Sequence, residues 1–288
     1  MANEASTQSV SSNPLRTIAF VGGGNMATAL IGALASGTSP APQFHVVEPL
    51  AAARERLAAR FGSVRLHDGI TADAFAGASI VVLAVKPQQM RTAAQALAPF
   101  IANVPVVLSI AAGIRTVDLT RWLGGYRRIV RAMPNTPALI ARGISGVYAD
   151  PAVVAAAREA AAQVLRAAGD VVWCEREEAL DAITGISGSG PAYVFFLLEA
   201  LERAGIDQGF DAPTARRLAY ATFAGAVALA QASSEEPATL RANVTSKAGT
   251  TERGLAVLSE RAVDQALRDA VAAATARARA LGDEFGAA

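Results

Sequence analysis

The sequence contains little cysteine and little lysine, and each shortage excludes a class of structure. Cys174 is the only cysteine among 288 residues, so an intrachain disulfide cannot form and a cysteine-based metal site is excluded. A single cysteine is typical of a protein in a reducing compartment. Among the basic residues only Lys86 and Lys247 are lysines.

An excess of charge of either sign is also absent. Lys and Arg total 26 against 25 for Asp and Glu, a net charge of +1. Nucleic acids and anionic membrane surfaces favour a concentrated basic face, so we expect neither as a partner. The longest mostly apolar stretch, residues 218–232, is shorter than the roughly 20 residues of a membrane-spanning helix.

Residues 1–16 are rich in Ser, Thr and Asn and lack the apolar segment of a secretory signal. We therefore expect a disordered tail on a cytoplasmic protein. We also expect no metal site.

After this tail, short apolar runs alternate with segments of helical composition. Hydrophobic residues make up 52% of the chain, and the runs are continuous, as in buried parallel strands. This alternation predicts an α/β fold with a doubly wound, mostly parallel sheet. The predicted strands are residues 17–21, 44–47, 80–85 and 106–110, with 127–130 and 143–148 as candidates for the last strands.

Beyond Cys174 the pattern changes to successive helices rich in Ala and Leu. Few charges lie on several of their faces, which is typical of helices that pack on more than one side. We therefore expect an all-α C-terminal domain, residues 175–288, buried against a second subunit, after a dinucleotide-binding domain of residues 17–174. The predicted helices cover residues 193–204, 212–231, 251–258 and 262–281.

A glycine motif directly follows the first predicted strand. Gly22, Gly24 and Ala27 fit the pattern G-x-G-x-x-A at the start of a helix. Gly22 permits a tight turn, Gly24 allows the backbone to approach a pyrophosphate, and Ala27 keeps the helix close to the strand. The free N–H groups of the helix then bind the anion, so the motif predicts a dinucleotide site.

Glu48 ends the second predicted strand, about 20 residues after Ala27, where an acidic residue accepts a ribose 2′-OH. A carboxylate there would favour NAD over NADP. Alternatively, Glu48 is an exposed residue before a turn, and Arg54 or Arg56 contacts a phosphate. The choice between NADH and NADPH therefore stays open.

Two more strand ends carry candidate contacts, since ligands bind at the carboxyl ends of strands in open α/β sheets. Lys86 and Pro87 follow one of these strands. Lys86 either contacts a ribose or substrate oxygen or is an ordinary exposed residue at the end of the strand. The small residues of the segment 109–113 either lie against a flat nicotinamide ring or form a plain tight turn.

Taken together, the motifs of this chain resemble those of the pyrroline-5-carboxylate reductase family. The resemblance covers nearly all of the chain except the tail and rests on VGGGNMA, AVKPQ, SIAAG, RAMPNTPA, TGISGSGPAY and NVTSKAGTT, in that order. It implies reduction of L-1-pyrroline-5-carboxylate to L-proline with NADPH or NADH. It also implies an N-terminal Rossmann domain and a helical C-terminal domain that forms a homodimer, often assembled further into a decamer.

The resemblance also assigns residues to the cofactor. It implies that the residues in contact with the pyrophosphate are Val21, Gly22, Gly23, Gly24, Asn25 and Met26. It implies that the ribose and nicotinamide are lined by Ala84, Val85, Lys86, Pro87, Ile110, Ala111 and Ala112. Asn243 matches an Asn that reaches the cofactor, and Thr71 stands where the family often has Asn.

For the substrate, the resemblance implies contacts from Glu177, Ser246, Gly249, Thr250 and Thr251. The family loop reads S-P-G-G-T-T, whereas Lys247 and Ala248 replace its Pro and first Gly here. If the second Gly equivalent of this loop needs a positive φ, the replacement bears on the geometry of the loop.

The chemistry of a cyclic imine agrees with these residues. Hydride delivery requires a held carboxylate, a placed imine carbon and a hydrogen bond to the ring nitrogen. The N–H groups before the helix 252–258 suit the carboxylate, and Thr251, or else Thr250, suits the nitrogen as a proton donor. These threonines are also ordinary helix-capping residues, and both roles can coexist.

Three other functions remain as alternatives. A reductase of a six-membered cyclic imine would use the same groups. A β-hydroxyacid dehydrogenase needs a helix Lys for proton transfer, which the apolar segment 193–197 lacks. A cofactor-binding protein without turnover would not need the polar groups of residues 243–251.

Overall fold

The computed structural model describes residues 15–37 and 40–287. They contain one eight-stranded sheet in the order β3-β2-β1-β4-β5-β6-β7-β8. Neighbouring strands are parallel except for the antiparallel pair β6–β7, which confirms the predicted α/β class. The strands are β1 (Thr17–Val21), β2 (Gln43–Val47), β3 (Val64–His67), β4 (Ile80–Leu83), β5 (Val107–Ser109), β6 (Ile129–Met133), β7 (Gly143–Ala149) and β8 (Gly169–Trp173).

The apolar character of the central strands follows from burial on both faces of the sheet. On β1, Ile18 and Phe20 belong to one core, and Ala19 and Val21 belong to the other. Because successive side chains of a strand point to opposite faces, each face needs apolar residues, and the strand becomes a continuous apolar run.

The sheet extends further than the sequence patterns alone indicated. The segments 127–130 and 143–148 correspond to β6 and β7. β3 and β8 were not predicted, because they lie at the two edges of the sheet and their side chains are only partly buried. Edge strands of this kind carry polar residues such as Arg65 and Asp170, which break the apolar signal.

Helices connect the strands and cover the sheet. They are α1 (Asn25–Gly37), α2 (Ala51–Arg60), α3 (Pro87–Leu97), α4 (Thr116–Trp122), α5 (Ala155–Arg166) and α6 (Ala179–Ile183). Short 3-10 helices occupy Ala72–Phe75, Ala98–Phe100 and Thr136–Ile140, and a π-helix occupies Thr184–Gly188. The strand order and these connections match a Rossmann-type sheet.

The chain divides into two compact units. Of the described residues, one unit contains those up to Thr184 together with those from Ala276 onward, and the other contains residues 185–275. The sequence patterns place the boundary between residues 174 and 175 instead. The remaining helices are α7 (Gly190–Asp207), α8 (Ala212–Ala232), α9 (Pro237–Asn243), α10 (Thr250–Glu260) and α11 (Val263–Ala287), of which α11 belongs to the second unit up to Thr275.

The helical unit leaves much apolar surface exposed. None of the described residues of α7, α9 and α10 is buried, and Phe195 and Phe196 are 64% and 70% exposed. Exposed apolar patches of this extent mark interaction surfaces, as expected for helices that pack against another subunit.

The last two residues of the predicted tail belong to the folded part of the chain. Residues 1–14 of the predicted tail lie outside the described residues, whereas Leu15 is buried in the core and the carbonyl oxygen of Arg16 accepts the N–H of Gln43. Among the described helices, none has both the length and the apolar character to cross a membrane.

Candidate functional site

The glycine motif fills the turn between the end of β1 and the start of α1. Gly22 has a φ of +100°, which glycine adopts at little cost. A Cβ at this position would lie 2.8 Å from the carbonyl oxygen of Ala84. The N–H of Gly22 donates to the carbonyl oxygen of Val47 at 2.8 Å. The turn is therefore held between β2 and the end of β4.

Gly24 shows that this turn suits a bound anion. A Cβ added to Gly24 would meet no atom within 4 Å, so the packing of the protein itself does not require glycine there. The first turn of α1 contains no acidic residue, and the first N–H groups of a helix have no helical acceptors. The residues present therefore fit the pyrophosphate of a dinucleotide.

Glu48 is buried beside the glycine turn. Its Oε2 accepts the N–H of Gly23 and its Oε1 accepts the N–H of Leu50, each at 3.0 Å. The alternative of an exposed turn residue therefore does not hold. Each carboxylate oxygen has a second lone pair, so the contact with a ribose hydroxyl stays a prediction.

Arg54 lies directly beside Glu48. Its Nη1 donates to the carbonyl oxygens of Glu48 and Pro49, both at 2.8 Å. Arg56 is exposed on α2. One cation, Arg54, therefore lies beside Glu48 at the end of β2, and a contact of Arg54 or Arg56 with a 2′-phosphate stays a second prediction.

The register of the central strands brings the other cofactor candidates to the same edge of the sheet. Val21 pairs with Leu83, and Leu83 pairs with Ser109. The N–H of Ala84 donates to Val21, and the N–H of Ile110 donates to Leu83. The segments 84–87 and 110–112 therefore begin beside the glycine turn, at the carboxyl edge where ligands bind.

Lys86 and Thr71 are exposed residues at this edge. Lys86 is the N-cap residue of α3, and Pro87 takes the first helical position, which suits proline because the N–H there has no helical acceptor. Thr71 precedes the 3-10 helix Ala72–Phe75, and its side chain makes no capping hydrogen bond. Both side chains point away from the core, and their contacts with a cofactor stay predictions.

Glu177 makes three hydrogen bonds within the first unit. Its Oε1 accepts the N–H of Thr116 and the Nη1 of Arg131, both at 2.6 Å. Its Oε2 accepts the hydroxyl of Thr116 at 2.8 Å. Burial lowers the pKa of the Arg131 guanidinium, and the negative charge of Glu177 opposes this shift.

A second ion pair lies next to the first. Arg115 Nη2 contacts Asp181 Oδ2 at 2.7 Å, with the Asp181 side chain 3% exposed. Burial by itself would lower the pKa of Arg115. The hydrogen bond to Asp181 and the negative charge of Asp181 outweigh this effect, and the pKa of Arg115 is raised.

Four residues of this cluster were not predicted from the sequence: Arg115, Thr116, Arg131 and Asp181. A signal for Arg131 was present, since a charged residue within the apolar run of β6 requires a buried partner.

In the second unit, the predicted substrate residues lie in the loop before α10 and in the first turn of that helix. Gly249 precedes the first helical residue, and Thr250 and Thr251 take the first two helical positions. A Cβ on Gly249 would collide with Ser246. The two threonines are therefore not the N-cap residue, which removes capping as an explanation for their presence.

Ala248 has a φ of +58°, so the position where the family carries glycine does adopt the left-handed region in this chain. The N–H of Ala248 donates to Glu252 Oε2 at 2.6 Å, which ties the loop to the first turn of α10. The replacement therefore keeps the turn at the expense of backbone strain.

Asn243 ends α9, and its Nδ2 donates to Glu235 Oε2 at 3.0 Å. The sequence patterns did not single out Glu235. Within the described residues, no group of three His, Cys, Asp or Glu side chains could hold a metal ion.

Comparisons with known proteins agree with this arrangement. Residues 177–281 match the family model for pyrroline-5-carboxylate reductase dimerisation. Residues 17–113 match the model for coenzyme F420-dependent NADP oxidoreductases.

Relatives match over nearly the full length. A pyrroline-5-carboxylate reductase of Pseudomonas aeruginosa is 43% identical over 269 residues, which cover 93% of this chain and 98% of that protein. The pea (Pisum sativum) reductase is 34% identical and covers 92% of this chain and 96% of that protein.

Solved structures share the same fold. A pyrroline-5-carboxylate reductase from Coxiella burnetii has a TM-score of 0.86 at 34% identity, with coverage of 93% of this chain and 99% of that one. The Plasmodium falciparum enzyme, solved with NADP bound, has a TM-score of 0.81 at 24% identity and covers 93% and 98%. The identity and the coverage together show that this chain belongs to the pyrroline-5-carboxylate reductase family.

Proposed function

We propose that the protein catalyses the reduction of L-1-pyrroline-5-carboxylate to L-proline with NADPH or NADH, the last step of proline biosynthesis. The observation that carries this proposal is the 43% identity to a reductase of that name over 93% of the chain. The polar groups of the loop before α10 are all present, and this supports an active enzyme over a protein that only binds the cofactor.

The dinucleotide binds along the carboxyl edge of the sheet. The turn 21–26 holds the pyrophosphate, Glu48 and Thr71 meet the adenosine half, and the segments 84–87 and 110–112 line the ribose and nicotinamide, with Asn243 as a further contact. When bound, the cofactor supplies a hydride to the imine carbon. The apolar turn 110–112 excludes water from this position.

The substrate carboxylate binds at the loop formed by Ser246, Gly249 and Thr250. The N–H groups of the first turn of α10 have no helical acceptor and favour an anion. The hydroxyl of Thr251 hydrogen-bonds the ring nitrogen and serves as its proton donor, and solvent water replaces the proton that the hydroxyl gives up. The hydride and the proton together convert the C=N bond to the CH–NH of proline.

The helical unit forms the homodimer. We further propose that five dimers assemble into a decamer and that the protein is cytoplasmic. The exposed side chains of α7, including Phe195 and Phe196, support burial against a second copy. Analytical ultracentrifugation measures the assembly directly. A species of ten chains supports the decamer, and a species of two chains restricts the assembly to the dimer.

The test of the function is steady-state oxidation of NADH and NADPH with three substrates. These are pyrroline-5-carboxylate, a six-membered cyclic imine carboxylate and a 3-hydroxy acid assayed in the oxidative direction. Faster turnover with the five-membered imine is expected. Turnover only with the six-membered imine would show that the enzyme is specific for the larger ring. Turnover only of the hydroxy acid would overturn the proposal.

A further inference from the structure

Glu177 belongs to a buried cluster that also contains Arg131, Thr116, Arg115 and Asp181. Glu177 lies just before α6, Arg131 lies in β6, and Thr116 begins α4. The cluster therefore joins three elements that are distant in sequence. The side chains of Arg131 and Glu177 are 4% and 15% exposed.

The carboxylate of Glu177 is already engaged by groups of the protein. Its two oxygens accept three hydrogen bonds, of the roughly four that a carboxylate can accept. Its charge faces the guanidinium of Arg131. A cationic ring nitrogen of a substrate would therefore meet a neutralised, largely saturated carboxylate.

Thr116, the hydrogen-bond partner of Glu177, directly follows the turn 110–115 and begins α4. This turn begins at β5, where Ser109 pairs with Leu83 and Arg131. It ends at Thr116, whose N–H and hydroxyl both donate to Glu177. Arg115, the residue before, is paired with Asp181. Both ends of the turn are therefore held, and its first half, residues 110–112, contains the residues proposed to line the nicotinamide.

We infer that Glu177 is a positioning residue that acts through Thr116 to fix the turn 110–115 under the nicotinamide, and that it is not a ligand of the substrate. This inference rests on the proposed function only for the placement of the nicotinamide. The pair with Arg131 holds the carboxylate of Glu177 in the orientation that Thr116 requires.

The first test is Thr116→Val, which removes the hydroxyl donor to Glu177 Oε2 and leaves the backbone N–H and the buried ion pair in place. Valine keeps the branched shape of threonine, so the start of α4 is not altered sterically. We expect the Kd for NADPH to rise about tenfold and kcat to fall by about 10- to 100-fold. The KM for pyrroline-5-carboxylate should stay within about twofold.

The second test removes Glu177 without leaving a buried unpaired charge. In Arg131→Met/Glu177→Ala we expect a loss of NADPH affinity at least as large as in Thr116→Val. In Arg131→Met/Glu177→Gln the amide oxygen can again accept the N–H of Thr116, so the Kd for NADPH should return to within about threefold of wild type. Glu178→Ala, an exposed neighbour, is the matched control and should leave the Kd unchanged.

Binding of 2′,5′-ADP separates loss of position from general damage. This fragment carries the adenosine half of NADPH and not the nicotinamide, so its Kd should stay unchanged in all of these variants. Unchanged NADPH affinity with a raised KM for the imine would overturn the inference and make Glu177 a substrate ligand. Unchanged NADPH affinity in both Thr116→Val and the alanine double variant would overturn it as well.

The binding measurements need no imine, so they also separate this inference from the proposed function. If wild type binds NADPH but does not reduce pyrroline-5-carboxylate, the proposed function fails while the Kd values still decide the role of Glu177. If wild type reduces the imine and the Kd values do not move, the inference alone fails.

Discussion

The carboxylate of Glu48 accepts a hydrogen bond from the backbone N–H of Gly23, with 3.0 Å between Glu48 Oε2 and the nitrogen. Glu48→Ser removes this bond together with the negative charge that would repel a 2′-phosphate. We expect weaker binding of both cofactors and a shift of the kcat/KM ratio toward NADPH by about tenfold, the size of one charged contact. Steady-state kinetics with NADH and NADPH measure the ratio.

Glu55→Ser is the control for this prediction, because Glu55 is exposed on α2 and carries the same charge. It should leave the ratio unchanged. An unchanged ratio in Glu48→Ser itself would show that Glu48 only supports the glycine turn.

The glycines of the turn should separate folding from cofactor binding. Gly22→Ala places a Cβ 2.8 Å from the carbonyl oxygen of Ala84 at a positive φ, so it should lower both the free energy of unfolding and NADPH affinity. In Gly24→Ala the Cβ meets no atom of the protein within 4 Å. We therefore expect its unfolding free energy to stay within about 1 kcal/mol of wild type while NADPH affinity falls.

Chemical denaturation and NADPH titration provide the two measurements. If Gly24→Ala bound NADPH as wild type does, the pyrophosphate would not approach the backbone at this position.

Thr251→Ala should lower kcat far more than it weakens cofactor binding. The hydroxyl at the second position of α10 is proposed to donate the proton to the ring nitrogen, a contribution of about 100-fold or more for general acid catalysis. The Kd for NADPH should change by less than about twofold. Single-turnover kinetics and fluorescence titration measure the two quantities.

Ser259→Ala provides the control, since Ser259 is exposed near the end of the same helix. Equal turnover in Thr251→Ala and wild type would remove Thr251 from the mechanism.

Ala248→Gly should stabilise the protein. Ala248 has a φ of +58°, and glycine at this position would relieve the left-handed strain. Glycine also gives the unfolded chain more entropy, which offsets part of the gain. The net increase in the free energy of unfolding should be about 0.5 to 1 kcal/mol. Ala58→Gly, at an exposed helical position of α2, should instead destabilise by up to about 1 kcal/mol. Thermal unfolding of both variants gives the comparison, and a lower Tm for Ala248→Gly would contradict the strain argument.

The amino-acid sequence by itself determined the α/β class, the glycine turn and the helical C-terminal half. These features follow from local patterns, such as the apolar run of β1, the glycines that directly follow it and the helical composition beyond Cys174. The edge strands β3 and β8 escaped prediction, since an edge position allows polar residues that weaken the apolar signal.

The tertiary structure alone decided the partners of the charged side chains. Arg131 and Glu177 are 46 residues apart, and Gly23 and Glu48 are 25 apart. Contacts at such separations depend on how the strands pair and the helices pack, which periodicity does not record. Burial then makes each partner obligatory, because a charge removed from water requires a compensating group.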